Sequence, residues 1–279
     1  MARRRGEDSP ERLSESGEKA SESDAECLSG LHSVMAALSY RGKSCRELFI
    51  AKRRLETPQG REMAALARNL GLTATIAGSD LLDRLAGTSH HQGAVLRVQR
   101  RLPKGIEALA GLVPSCGPAL VLALDHLEDP HNLGALMRSA AAFGAACVVA
   151  PKDRGAPLSQ AARAASAGAS EALDLVRVVN LPRFLKEAKE MGLWVVAADM
   201  AGSVPLESFE FPERCALVLG SEGRGLGREV ARQADYRVGI GLAKASPVAS
   251  LNVSNAGAIL MHAWAKSAGI ALGLDGAAL

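Results

Sequence analysis

Aromatic residues make up only 3% of the 279-residue chain, too few to build platforms on which single-stranded bases stack. The five cysteines, Cys27, Cys45, Cys116, Cys147 and Cys215, contain no C-x-x-C pair. An odd, scattered set argues against a disulfide framework and against a thiolate zinc site, and it fits a reducing, cytoplasmic compartment. Long apolar runs are also missing. The longest, such as residues 119–124 and 145–150, are of strand length and far short of the roughly 20 residues that span a bilayer, so no membrane partner is expected. No GK[ST] phosphate loop occurs, and in the glycine-rich stretch 220–227 Arg228 stands where G-x-G-x-x-G would need its third glycine. A P-loop NTPase and a nicotinamide dehydrogenase are therefore unsupported.

A hydrophobic fraction of 48% and a charged fraction of 23% describe an ordinary globular chain, long enough for about two domains. Its net charge of +3 is unevenly spread. Residues 1–26 are acidic on balance, residues 27–115 hold thirteen Lys/Arg against six Asp/Glu, and the remainder is nearly neutral. A basic middle segment beside a neutral, Ala-rich one reads either as an anion grip or as a well-solvated surface.

Residues 1–27 lack apolar periodicity and read as a disordered charged tail. Apolar spacing predicts helices near 31–38, 61–70 and 80–85, with strands near 47–51, 72–77 and 94–98, which together make a small α/β domain over 28–100. Pro103, Pro114 and Pro118 mark a linker over 101–117. Strands follow near 119–124, 146–150, 194–198, 216–219 and 236–242, alternating with helices near 133–143, 158–167, 182–191 and 253–266. This is an α/β domain with a mainly parallel sheet over 118–270, then a tail over 271–279. Ligands bind beyond the carboxyl ends of such strands, so the segments following strands hold the chemistry.

Three such segments stand out. The first runs from Asp125 through Asp129-Pro130 and Asn132 to Arg138. His126 and His131 lie five apart across Pro130, without the i, i+4 pairing that would aim both at one ion, so no metal is expected. Asp129-Pro130 reads as a turn with Asn132 capping a helix; Arg138, on an apolar helix, needs either a salt bridge or an anionic ligand. The second, Gly220-Ser-Glu222-Gly-Arg-Gly-Leu-Gly227, lets a ligand approach the backbone closely; Glu222 is either a solvated turn residue or a buried carboxylate that orients a neighbour. In the third, 240–254, Ser250 and Asn252 precede the last helix and read as an N-cap pair.

Taken together and in order, D-x₃-DP-x-N-x-G-x₃-R, L-G-S-E-G-x-G and S-L-N-V-S resemble the three motifs of the SpoU/TrmH branch of the SPOUT methyltransferases. The upstream region, opening with Gly30-Leu31-His32-Ser33-Val34 and ending with His91-Gln92-Gly93, is similar to the substrate-binding domain of bacterial 23S rRNA guanosine 2′-O-methyltransferases. The resemblance implies an L30e-like RNA-binding domain, a catalytic domain with a deep trefoil knot, and a homodimer whose active site combines both chains. It implies transfer of a methyl group from S-adenosyl-L-methionine to a ribose 2′-hydroxyl of RNA, most specifically 23S rRNA. By the same resemblance Asn132, Arg138, Glu222, Ser250 and Asn252 are the catalytic set, and Gly220, Ile240 and Leu251 hold the cofactor through backbone groups. The chain departs from the family pattern at Gly241, where relatives carry Pro, and in a longer loop containing Lys244-Ala-Ser-Pro247. A tRNA ribose methyltransferase, or an RNA-binding assembly factor without turnover, are the other readings of the same residues.

Overall fold

A computed structural model describes residues 25–200, 203–221 and 223–273. The chain forms two sheets. Strands β1 (Ala25–Ser29), β2 (Cys45–Ile50), β3 (Ala74–Ile76) and β4 (Ala94–Gln99) lie in the order β1-β4-β2-β3. Strand β4 is antiparallel to both β1 and β2, while β3 joins β2 in parallel. Helices α1 (Leu31–Tyr40), α2 (Lys52–Leu55), α3 (Pro58–Asn69) and α4 (Ser79–Ala86) accompany this sheet. Its core is built from Val34, Leu38, Leu48, Ile50, Met63 and Leu96. The apolar residues of α1 and α3 recur at helical spacing and those of β2 and β4 face the same layer, which is why this stretch closes on itself. Gln92, at φ +54°, takes the N-terminus of α1: its Oε1 accepts from Leu31 N at 2.8 Å.

The second sheet follows a short helix α5 (Leu109–Leu112). Its elements run β5 (Ala119–Leu124), α6 (Pro130–Ala142), β6 (Cys147–Pro151), α7 (Gln160–Ala165), α8 (Ala169–Ala172), β7 (Leu175–Val178), α9 (Leu181–Glu190), β8 (Trp194–Ala198), β9 (Val204–Pro205), β10 (Arg214–Leu219), α10 (Arg228–Gln233), β11 (Tyr236–Gly239) and α11 (Val253–Ser267). The strand order is β7-β6-β5-β10-β8-β11-β9, and every paired neighbour is parallel. All six residues of β5 are buried: Leu120, Leu122 and Leu124 face the α6/α11 layer, and Ala119, Val121 and Ala123 face the α5/α9 layer. Burial on both faces explains the unbroken apolar runs. It also silences two thiols: burial pushes Cys147 up to about 12 and raises Cys215 as well, so neither is a nucleophile at neutral pH.

Two expectations need correction, and one strand was not foreseen. The charged tail was expected to reach residue 27; residues 1–24 and 274–279 lie outside the described residues, but 25–27 begin β1, because Leu28 enters the core and Glu26 finds basic partners. The linker over 101–117 is largely structured. Lys104 N donates to Leu175 O at 2.9 Å, Arg177 N donates to Lys104 O at 2.8 Å, and Leu109 and Val113 are buried. The apolar spacing of Ile106, Leu109, Leu112 and Val113 outweighs the three prolines, which mark only the segment's ends. Strand β7 escaped the sequence pattern because Arg177 interrupts it. That guanidinium donates to the carbonyls of Pro151, at 2.8 Å, and Ala156, so the half-buried charge finds backbone acceptors.

Candidate active site

Strands β5, β8, β10 and β11 all end at one rim of the larger sheet. Beyond β5, Asp125 is 1% exposed. Its Oδ2 accepts from Gly227 N at 2.7 Å, and its Oδ1 lies 2.6 Å from His126 Nδ1. The buried carboxylate thus ties the end of the glycine-rich loop to the loop after β5. His126 adopts φ +55°, a conformation a non-glycine residue holds only when its surroundings impose it. Within the glycine-rich loop, Ser221 and Gly225 exchange backbone hydrogen bonds of 3.2 and 3.0 Å. A Cβ at Gly220 would lie 2.4 Å from the Gly225 carbonyl carbon, so only glycine permits this fold-back.

Asp129 caps α6 by accepting from His131 N at 2.9 Å, with Pro130 in the first turn. Asn132 follows, nearly buried. At the far end of the site Asn252 caps α11, its Oδ1 accepting from Ser254 N at 2.8 Å, while its Nδ2 donates to Asn132 Oδ1 at 3.1 Å. Two residues 120 positions apart are joined, and with them the N-termini of two helices, each carrying partial positive charge. Asn132 therefore starts a helix without being its cap, which is Asp129.

Two hollows meet here. Gly220, Ile240 and Leu251 line a cavity of about 350 Å3 together with Ser250 and Asp199. A second hollow of about 250 Å3 is lined by His126, Asp129, Asn132 and Arg224. Ser221 borders both. The first is of small-molecule size and mostly apolar with a few polar groups, which suits a nucleoside-bearing ligand held partly by backbone.

Of the sequence-predicted residues, the fold brings Asn132 and Asn252 into contact, and it places Ser250, Gly220, Ile240 and Leu251 around one cavity. Glu222 lies outside the described residues. Arg138 is not brought to the asparagine pair within this chain: it is exposed on α6, and six residues along a helix turn a side chain about 120° away from Asn132. Asp125 and Asp199 were missed as site-building residues. Each is an acid directly after an apolar strand, a signal the sequence carried. Among the described residues no group of three or more His, Cys, Asp or Glu is placed to hold a metal ion.

Residues 119–262 match the SpoU rRNA Methylase family, and residues 27–103 match the RNA 2′-O ribose methyltransferase substrate-binding family. The chain is 35% identical over 233 residues to the 23S rRNA (guanosine-2′-O-)-methyltransferase RlmB of Neisseria meningitidis, covering 83% of this chain and 91% of that one. It is 34% identical to the RlmB of Escherichia coli K12, covering 85% and 96%. The AdoMet-bound rRNA methyltransferase from Sinorhizobium meliloti superposes with a TM-score of 0.70 at 25% identity, covering 88% of each chain. Sequence, sheet order and site geometry agree, and the chain belongs to the SpoU rRNA methylase family.

Proposed function

We propose that this chain methylates the ribose 2′-hydroxyl of a guanosine in 23S rRNA, using S-adenosyl-L-methionine, and that it does so in the bacterial cytoplasm as a homodimer. The observation that carries the reading is the Asn252–Asn132 hydrogen bond, whose Asn132 lines the smaller hollow while Ser250, Leu251 and Val253, the neighbours of Asn252, line the larger cavity. S-adenosyl-L-methionine supplies, when bound, a methyl group on a positively charged sulfur, already activated for displacement. The protein's contribution is then alignment and handling of one proton. Gly220, Ile240 and Leu251 offer backbone groups along the larger cavity, and Asp199 offers a carboxylate there. Asn132, which lines the smaller hollow, and Asn252, bonded to it, orient the ribose; Ser250 lines the larger cavity, and Glu222 is assigned the same ribose.

Arg138 has its place in the dimer. The outer stripe of α6, with His131, Arg138 and Ala142 exposed and Ala135 half-buried, carries small residues that let a second copy approach, and α11, which packs against α6, exposes Ile259 by 40%. The partner subunit's Arg138 then reaches the phosphate next to the target ribose. Its planar fork of N–H donors suits bidentate contact with phosphate oxygens, so its role is to position that phosphate. We further assign the N-terminal sheet and its helices to substrate binding and the remainder to methyl transfer. The knot implied by the family is supported by the late placement of β10 between β5 and β8.

Incubation of the purified protein with labelled cofactor and unmodified 23S rRNA tests the reading: one ribose becomes methylated, and Arg138→Ala abolishes transfer while leaving cofactor affinity intact. An Arg138→Ala protein as active as wild type removes the role assigned here. Absence of cofactor binding at millimolar concentration removes the enzymatic reading altogether.

A further inference from the structure

The four-stranded and seven-stranded units meet through a cluster of charged side chains. Glu26, at the start of β1, and Arg41, at the end of α1, come from the first unit; Arg163 of α7 and Glu171 of α8 come from the second. Glu171 is 1% exposed and receives both arginines: Arg163 Nη1 lies 2.5 Å from its Oε1, and Arg41 Nη1 contacts its Oε2. Arg163 Nη2 reaches Glu26 at 3.1 Å, and Arg41 Nη1 lies 3.9 Å from the same carboxylate. The four side chains thus close a ring of alternating charge, two from each unit, with two ion pairs crossing the boundary.

Neutral rings of this kind add little to affinity, because each unit already pairs its own two charges and the ring must be desolvated. What they do well is reject wrong registers: rotating one unit against the other sets Glu26 towards Glu171 and Arg41 towards Arg163. Two further contacts fix the same rotation. Gly168, at φ +91°, sits under α1 so closely that a Cβ would be 2.7 Å from the His32 carbonyl oxygen. Arg101 donates to Ser170 O at 2.6 Å and pairs with Asp174 at 2.7 Å. Beside the ring the two units wall a groove of about 850 Å3, bordered by His32, Arg84, His90 and Arg100.

We infer that Glu26, Arg41, Arg163 and Glu171 form a register lock that holds the RNA-gripping unit at one angle to the catalytic unit and so decides which nucleotide reaches the Asn132–Asn252 pair. The inference rests on the methyl-transfer reading above. All four are positioning residues: none borders the cofactor cavity or the hollow beside Asn132.

The test uses full-length Glu171→Gln and Arg41→Gln proteins. Small-angle scattering of each shows a wider spread of interdomain arrangements than wild type, while calorimetric affinity for S-adenosyl-L-methionine stays within about twofold. The KM for a 23S rRNA fragment rises roughly tenfold, a loss of about 1.4 kcal/mol, with a smaller change in kcat, and methylation spreads to neighbouring riboses. Should Glu171→Gln fail to fold, Arg41→Gln decides, since it leaves Glu171 paired with Arg163. Scattering profiles identical to wild type, together with an unchanged KM and a single methylated ribose, overturn the lock. Should wild type itself transfer no methyl group, the functional reading fails, while the scattering comparison still decides whether the ring fixes the domain angle.

Discussion

Asn252 shows how two readings of one residue can both hold. As an N-cap it satisfies Ser254 N, and by its other amide atom it holds Asn132. The cap was legible from S-L-N-V-S alone; the bond to Asn132 was not, because no local rule links positions so far apart. The two roles separate by substitution. Asn252→Ala loses both, with a stability cost of about 1 kcal/mol and a fall in Tm of about 2–4 °C. Asn252→Ser keeps a capping oxygen but cannot reach Asn132, so its Tm stays near wild type while kcat drops by about 100-fold through misplacement of the ribose. Calorimetry and single-turnover rates on the pair check this, and full activity in Asn252→Ser would reduce Asn252 to a cap. Asp125 behaves differently. Asp125→Asn exchanges a charge-assisted hydrogen bond to Gly227 N for a neutral one, and the expected outcome is a weaker grip on S-adenosyl-L-methionine with a slower hydrogen exchange lost in residues 223–227, measured by calorimetry and exchange mass spectrometry.

Elements were legible where apolar periodicity was unbroken. Strands β5 and β8 and the start of α11 follow directly from their sequences, since β5 has every residue buried and α11 opens with a cap. The strap over 101–113 was hidden because prolines at its ends dominate a composition-based reading, whereas its hold comes from long-range pairs. Asp174 is the centre of that hold. Burial alone would raise its carboxyl, but hydrogen bonds and charge from Arg101 and Lys104 outweigh it and leave the group below the usual carboxylate range. A carboxyl depressed in the folded state stabilises fully at neutral pH. That contribution falls away as pH drops below the ordinary value of about 3.9 and vanishes beneath the depressed one. Asp174→Asn should therefore unfold at lower denaturant than wild type by a constant margin between about pH 5 and 8, and the margin should close below about pH 4. A margin that widens on acidification would reverse the assignment.

At the scale of the whole molecule, the sequence disclosed two α/β units and their order but not how they are joined or how many chains make a site. Contacts such as Glu26 with Arg163 depend on tertiary geometry that no periodicity encodes. The same holds for Arg138: the family resemblance set it beside Asn132 in one catalytic set, and six residues of helix turn it away from Asn132 within this chain. If two copies share each site, then two inactive proteins can complement. Arg138→Ala and Asn132→Ala are each expected to be inactive, the first lacking the phosphate contact and the second the ribose contact. Mixed after mild dissociation, random pairing makes about half of the dimers mixed, and in each of those one site draws Asn132 from one protomer and Arg138 from the other. The mixture should regain roughly a quarter of wild-type activity, since one intact site in half of the dimers is one site in four. Recovery proves sharing because neither parent can supply it, and it must fall when either parent is in large excess. A mixture that stays inactive after subunit exchange has been verified by mass spectrometry would place Arg138 and Asn132 in the service of one protomer, and the exposed stripe of α6 would need another occupant.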